Sequence, residues 1–170
     1  MMKFLHANAL AIAFTLGLST SSAQALEKGE VAPDFSLPSL SSAQQMTNLS
    51  QYRGKVIYLD FWASWCAPCR TSFPLLETLY RQYKDQGFMI VAVNMDENPK
   101  AAHRFLKTYP ASFDILRDAE GQWADRYGIE TMPTSFIIDK KGVIRHIHNG
   151  FAKADIADIE TTVKHLLAEK

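Results

Sequence analysis

The stretch Val56-Ile57-Tyr58-Leu59-Asp60-Phe61-Trp62-Ala63-Ser64-Trp65-Cys66-Ala67-Pro68-Cys69 sets the framework for the rest of this 170-residue chain. Its first seven residues form a near-continuous apolar run rich in β-branched and aromatic side chains, the pattern of a central strand covered on both faces. The run gives way to two cysteines, the only two in the sequence, and then to a helical pattern, so that Cys66 falls at a helix N-terminus. Unpaired backbone N–H groups and the positive end of the helix dipole favour a thiolate there. The first reading is therefore a redox dithiol. Cys66 is the attacking thiolate, and Cys69, within the first helical turn, closes a small ring and expels a partner from a mixed disulfide.

Other uses of two cysteines fit less well. A tetrahedral zinc site needs about four ligands, and the sequence holds no second Cys pair or ordered Cys/His set. Covalent haem attachment needs a histidine after the second cysteine, where Arg70 stands. A structural disulfide would more usually close a wide loop, because a tiny ring constrains the unfolded chain less. His146 and His148 alternate on one strand face without a third partner, which reads as a surface pair, and His103 and His165 read as solvated helix residues. No metal and no cofactor are expected.

Working outward, residues 26–50 are irregular, with Pro33, Pro38 and a Ser/Gln-rich stretch, and read as short edge strands and turns. Past the dithiol a helix is expected to about residue 86, with Phe73, Leu76, Leu79, Tyr80 and Tyr83 at helical spacing, Pro74 kinking it and Gly87 stopping it. Residues 88–95 form a second buried strand. Asn98-Pro99 is a cap followed by proline at the first helical position, opening a helix to about residue 109. A short strand at 113–116 and a short helix at 120–127 come next. Strands at 135–139 and 143–148 flank a tight hairpin at Lys140-Lys141-Gly142. The last helix carries the stripe Ile156, Ile159, Val163, Leu166, Leu167. Strands alternating with helices, then a hairpin and a helix, describe an α/β sandwich with a mixed sheet.

The N-terminus reads as an export signal: Lys3, an apolar run over residues 7–18, and the small-residue pattern Ala23-Gln24-Ala25. The run is short of the ~20 residues of a spanning helix, so cleavage after Ala25 is expected, leaving residues 26–170 as one domain. Lysine plus arginine equals aspartate plus glutamate, 18 each, and nothing suggests a nucleic-acid groove. In an exported chain, two cysteines placed three apart point to redox work rather than to stapling.

Asp60-Phe61-Trp62-Ala63-Ser64-Trp65-Cys66-Ala67-Pro68-Cys69 followed by Pro74 resembles the strand, active-site and helix signature of the thioredoxin superfamily. Ala32-Pro33-Asp34-Phe35, residues 49–55, Val93-Asn94-Met95-Asp96, residues 105–110, Tyr127-Gly128-Ile129 and Pro133-Thr134-Ser135-Phe136-Ile137-Ile138-Asp139 are similar to its exported TlpA/ResA-like branch, over residues 31–150. The resemblance implies a thioredoxin-like three-layer α/β/α sandwich with a mixed central sheet, an N-terminal β extension, and a central helix-strand insertion at 98–117. It implies reduction of protein disulfides outside the cytoplasm, often in cytochrome c maturation. Partners would be disulfide-containing exported proteins, apocytochrome c among them, and a membrane thiol-disulfide electron donor. A monomer is expected.

The resemblance also assigns roles. Many members of the branch have Asn where this chain has Asp60, which is read as accepting or relaying the proton of Cys69. Met132-Pro133-Thr134 falls where the superfamily has a cis-proline loop whose backbone pairs with substrate as a short added strand. Trp65, Ala67, Pro68, Met132 and Thr134 would then line the substrate, while Phe61 and Trp62 are core. Pro68 tunes the stability of disulfide against dithiol. Arg70 reads as a solvated surface arginine, and Asp96, Glu97 and Asn98, flanking the insertion, as shaping substrate choice. An oxidase or isomerase would use the same atoms. A peroxidase is disfavoured because the residues before Cys66 lack the peroxiredoxin pattern Pro-x-x-x-Thr-x-x-Cys, although Ala32-Pro33-Asp34-Phe35 resembles that group too. A copper(I)- or protein-binding module would leave Asp60 and Pro133 unexplained.

Overall fold

The apolar run at Val56–Trp62 forms a seven-residue strand with every residue buried, as its unbroken hydrophobicity requires. The computed structural model describes residues 26–169, so the signal segment expected at 1–25 lies outside the described residues. In chain order the elements are β1 (Ser36–Pro38), β2 (Met46–Asn48), a 3-10 turn (Leu49–Tyr52), β3 (Val56–Trp62), α1 (Ala67–Tyr83), a second 3-10 turn (Lys84–Gln86), β4 (Phe88–Asn94) and α2 (Pro99–Thr108). Then follow β5 (Asp114–Arg117), α3 (Gln122–Arg126), β6 (Thr134–Ile138), β7 (Ile144–Asn149) and α4 (Asp155–Ala168). Among the described residues no helix is long and apolar enough to cross a membrane.

Five strands make the central sheet in the order β5-β4-β3-β6-β7. β3 pairs parallel with β4 and β4 with β5, whereas β6 runs antiparallel to both β3 and β7. The sheet is mixed because helical crossovers link the parallel half and a tight hairpin links β6 to β7. In that hairpin Asp139 Oδ1 accepts the N–H groups of Lys141 and Val143, both at 2.9 Å, and Gly142 takes the left-handed conformation that closes the turn.

Strand alternation sorts the side chains into two cores. On one face Val56, Tyr58 and Trp62 meet Phe73, Leu76 and Leu79 of α1, Ala102 and Phe105 of α2, and Ile159, Val163 and Leu166 of α4. On the other, Ile57, Leu59 and Phe61 meet Phe35, Leu37, Leu49, Ala124 and Tyr127. The result is the expected three-layer α/β/α sandwich. Helix α1 continues through Pro74, which cannot donate to the carbonyl one turn back.

The N-terminal extension differs in detail from plain edge strands. β1 and β2 pair only with each other, and the segment straps the second face. It is tied to the β6–β7 hairpin by the Val31–Val143 bridge and to the edge of β5 by Ser39–Leu116. The strap covers β5, which would otherwise offer an open edge. Tyr52 fastens the same region: its buried hydroxyl donates to Asp114 Oδ2 at 2.5 Å, and burial followed by the Asp114 carboxylate drives its pKa far above the usual phenol. Tyr52→Phe should cost about 1.5 kcal/mol in urea denaturation. No loss would mean that the Tyr52 hydroxyl adds nothing to the hold on the strap.

The insertion is confirmed as α2 plus β5, with β5 added parallel to the edge of β4. Strand β6 begins at Thr134, one residue earlier than the sequence suggests, and β7 ends at Asn149. A register irregularity between Ile137 and Ile138 accompanies the shift.

Candidate active site

Cys66 and Cys69 form a disulfide with a Cα–Cα distance of 5.4 Å. The local sequence accounts for the placement. β3 ends at Trp62, the chain turns through a Cys66 N–H to Ala63 carbonyl bond of 3.1 Å, and α1 starts at Ala67 with Pro68 in its first turn. Proline is tolerated there because its missing N–H would have had no partner inside the helix. Cys66 is the N-cap, with Sγ accepting the Cys69 N–H at 3.2 Å. That donor and the dipole behind it stabilise negative charge on Cys66 sulfur.

The two sulfurs are not equivalent. Both residues are buried, Cys69 at 0% and Cys66 at 3% exposure, but Cys66 is flanked by exposed Trp65 and Ala67 and is the one nearer solvent. Next to it Trp65 is 65% exposed, unusual for an indole of that size. Ala67 is exposed, Pro68 half-buried, and Arg70 projects to solvent. Phe61 and Trp62 are fully buried core residues.

The Met132–Pro133 peptide bond is cis. Register places it: Phe61 pairs with Thr134 and Asp60 with Ser135, so Pro133 lies beside the end of β3 where the cysteine loop begins. Half-buried Met132 packs on the apolar cluster that contains both cysteines. The Thr134 hydroxyl is turned to its own loop, donating to the Thr131 carbonyl at 2.8 Å.

Asp60 shares the α1-facing side of β3 with Tyr58 and Trp62, is 1% exposed, and its Oδ2 has no hydrogen-bond partner among the described residues. Burial alone raises its carboxyl well above the usual range. Tyr58, two residues earlier, is raised in turn, first by burial and then by Asp60. A buried carboxyl lacking a partner is costly to keep, and such groups concentrate where a proton must be held or passed.

One polar cluster has no counterpart in the sequence reading. Asp96 was expected at the insertion boundary, but it turns inward and accepts both the backbone N–H and the hydroxyl of Ser64. Asn98 caps α2 by accepting the Lys100 N–H at 3.0 Å, and Glu97 is exposed. His146 and His148 stack with ring centroids 6.1 Å apart, and His148 Nε2 meets Asp155 Oδ2 at 2.9 Å. Among the described residues no three His, Cys, Asp or Glu side chains are grouped to hold a metal.

The redoxin family profile matches residues 27–163. The chain is 33% identical over 142 residues to the thiol-disulfide oxidoreductase ResA of Bacillus subtilis (strain 168), covering 83% of this chain and 78% of that protein. It is 38% identical over 133 residues to ResA of Geobacillus kaustophilus (strain HTA426), covering 78% and 75%. A crystal structure from Chlorobium tepidum, assigned as a thiol:disulfide interchange protein DsbE, superposes with a TM-score of 0.80 at 44% identity, covering 85% of this chain and 100% of that one.

Proposed function

From the premise that this chain belongs to the redoxin family and is a thiol-disulfide oxidoreductase of the ResA type, we propose that it reduces disulfides of exported proteins, apocytochrome c among them. Residues 1–25 direct it out of the cytoplasm and are removed, leaving one domain that works as a monomer, and a membrane thiol-disulfide donor recharges it.

In this reading the Cys66 thiolate attacks a substrate disulfide, forming a Cys66–substrate bond and releasing one substrate thiolate. Cys69, losing its proton toward Asp60, then attacks Cys66 sulfur, closes the 66–69 disulfide and frees the second substrate thiolate. Two electrons pass to substrate, and the donor returns them. Trp65 with Ala67 and Pro68 docks the substrate on one side. The backbone of Met132, turned by cis Pro133 and followed by Thr134, receives it as an added strand on the other.

What supports the reducing direction is how few groups are placed to stabilise a Cys66 anion. A dithiol is strongly oxidising when its reduced form is strongly stabilised. Here Cys66 sulfur accepts one amide N–H, while Arg70 points to solvent. Any ionisation of Asp60 opposes a neighbouring thiolate. That balance supports a reductant.

Cys69→Ser is the test, because it stalls the first step as a stable Cys66–substrate disulfide. Capture of apocytochromes supports the maturation role, and capture of many unrelated exported proteins makes the enzyme a general reductase. Absence of any captured protein overturns the mechanism. The potential of the 66–69 pair is expected nearer about −270 mV than about −120 mV; a value at the oxidising end reverses the direction.

A further inference from the structure

Backbone pairing between β3 and β4 runs out at the cysteine loop. The last register pair is Trp62 with Asn94, and the Met95 N–H still donates to the Trp62 carbonyl at 2.9 Å. Beyond that point β3 becomes the turn at 63–66, which has to hold its shape without a strand beside it.

Side chains take over where the ladder stops. Asp96 Oδ2 accepts the Ser64 N–H at 3.0 Å, and Oδ1 accepts the Ser64 hydroxyl at 2.9 Å. Asn94 Nδ2 donates to Asp96 Oδ2 at 2.9 Å, while the Asp96 N–H donates back to Asn94 Oδ1 at 3.2 Å. Asp96 is 5% exposed and Asn94 wholly buried, so these bonds face little competition from water. The clamp is itself anchored: the Asp118 N–H donates to the Asn94 carbonyl at 2.9 Å, and Arg117 Nη2 donates to the Glu97 carbonyl at 2.6 Å.

The chemistry calls for a carboxylate. Three donors converge on the two oxygens of Asp96, and an ionised carboxylate is acceptor-only on both. An amide would replace these charge-assisted bonds with weaker neutral ones, even though the Ser64 hydroxyl can turn to accept its N–H.

Resting on the reading of Cys66 as nucleophile, we propose that Asp96 is a positioning residue for thiol-disulfide exchange. Through Ser64 it fixes the backbone that presents Trp65 to substrate and Cys66 Sγ to the incoming disulfide. Attack on a disulfide needs the thiolate in line with the breaking S–S bond, and a misplacement of ~1 Å can cost about a hundredfold in rate. The peptide bound to Cys66 pulls on this same turn while Cys69 attacks from within. A loop that yielded would carry the mixed disulfide away from Cys69. Asp96 touches neither substrate nor sulfur, and it acts only through Ser64.

The test compares Asp96→Asn, Ser64→Ala and the double variant in the full-length protein. The readouts are the bimolecular rate with a model aromatic disulfide, the Cys66 thiolate titration, and the Trp65 emission change on reduction. Asp96→Asn should slow attack about tenfold, move the thiolate titration and alter the Trp65 change. Ser64→Ala alone, losing one bond, should slow it about threefold. The double variant should be no slower than Asp96→Asn, because Asp96 acts only through Ser64 and the two changes weaken the same bonds. Rates and titration unchanged in folded Asp96→Asn, or strictly additive effects, overturn the proposal and leave Asp96 a fold residue. If Asp96→Asn fails to fold, an unchanged rate in Ser64→Ala overturns it alone. A wild-type protein that never forms a Cys66 mixed disulfide overturns the nucleophile reading instead, so the two failures are distinguishable.

Discussion

Cys66→Ser should lose thiol-disulfide exchange by a factor of about a thousand or more while keeping the fold. The loss follows from ionisation: a thiol at a helix N-terminus is substantially thiolate near neutral pH, whereas an alkanol is not, and only the anion attacks sulfur. The fold is spared because serine is itself a preferred N-cap, and its oxygen can accept the Cys69 N–H that Cys66 sulfur now accepts at 3.2 Å. Losing a ring between residues three apart removes about 2 kcal/mol in the chain-entropy account. Comparing both proteins fully reduced takes that term away. Reduction of a protein disulfide, followed by gel-shift of alkylated thiols, supplies the rate, and a thermal melt of the reduced proteins supplies the control. Activity within tenfold of wild type in Cys66→Ser would mean that Cys69 is the entering thiol. The structure argues otherwise, since Cys69 is fully buried while Cys66 is flanked by exposed Trp65 and Ala67.

The parts of this site that were readable in the sequence are those set by neighbours in the chain. A continuous apolar run is sufficient to bury β3 on both faces, and with it Asp60, because a strand covered on both sides has no wet face on which to place a carboxylate. The dithiol, its helix and the Asn98 cap are likewise local signals. The cis bond before Pro133 is different: an X–Pro dipeptide looks the same in either isomer, and only the family resemblance pointed to it. The Asp96 clamp was out of reach for another reason. Ser64 and Asp96 are 32 residues apart, and their meeting depends on the register in which β3 and β4 pair, which side-chain alternation alone does not fix when both strands are buried on both faces. Asp96 followed by Glu97 looks like an exposed acidic boundary until that register is known. The strap formed by β1 and β2 was hidden in the same way, since three-residue strands carry too little periodicity to show which edge they cover.

Asp60→Asn should change two quantities in opposite directions. As the group placed to take the Cys69 proton, Asp60 contributes general-base help to the resolving step, and its loss should slow resolution about a hundredfold once the pH is high enough for Asp60 to be ionised. The pH profile gives the diagnosis. In the wild type, resolution should rise with pH as Asp60 ionises, in a range well above that of an ordinary carboxylate because burial opposes the charge. In Asp60→Asn that limb disappears, and the rate follows cysteine ionisation alone.

Stability should move the other way. The folded protein keeps a proton on Asp60 that the unfolded chain releases above a pKa of about 3.9. The folded state therefore binds more protons, and unfolding free energy falls as pH rises. This contribution is fully present below about 3.9 and is lost at about 1.4 kcal/mol for each pH unit until Asp60 itself ionises. Asparagine never ionises, so Asp60→Asn should gain stability over wild type at pH 7 and show little gain near pH 3. Urea denaturation of the oxidised proteins, in which neither cysteine titrates, isolates this difference. The cost of burying an amide in place of a neutral carboxyl is nearly the same at both pH values and cancels from the comparison. An equal effect at pH 3 and pH 7 would show that Asp60 is not held protonated by its burial. A gain at pH 7 together with a slowed resolving step would show that stability is sacrificed at this position to the chemistry of Cys69.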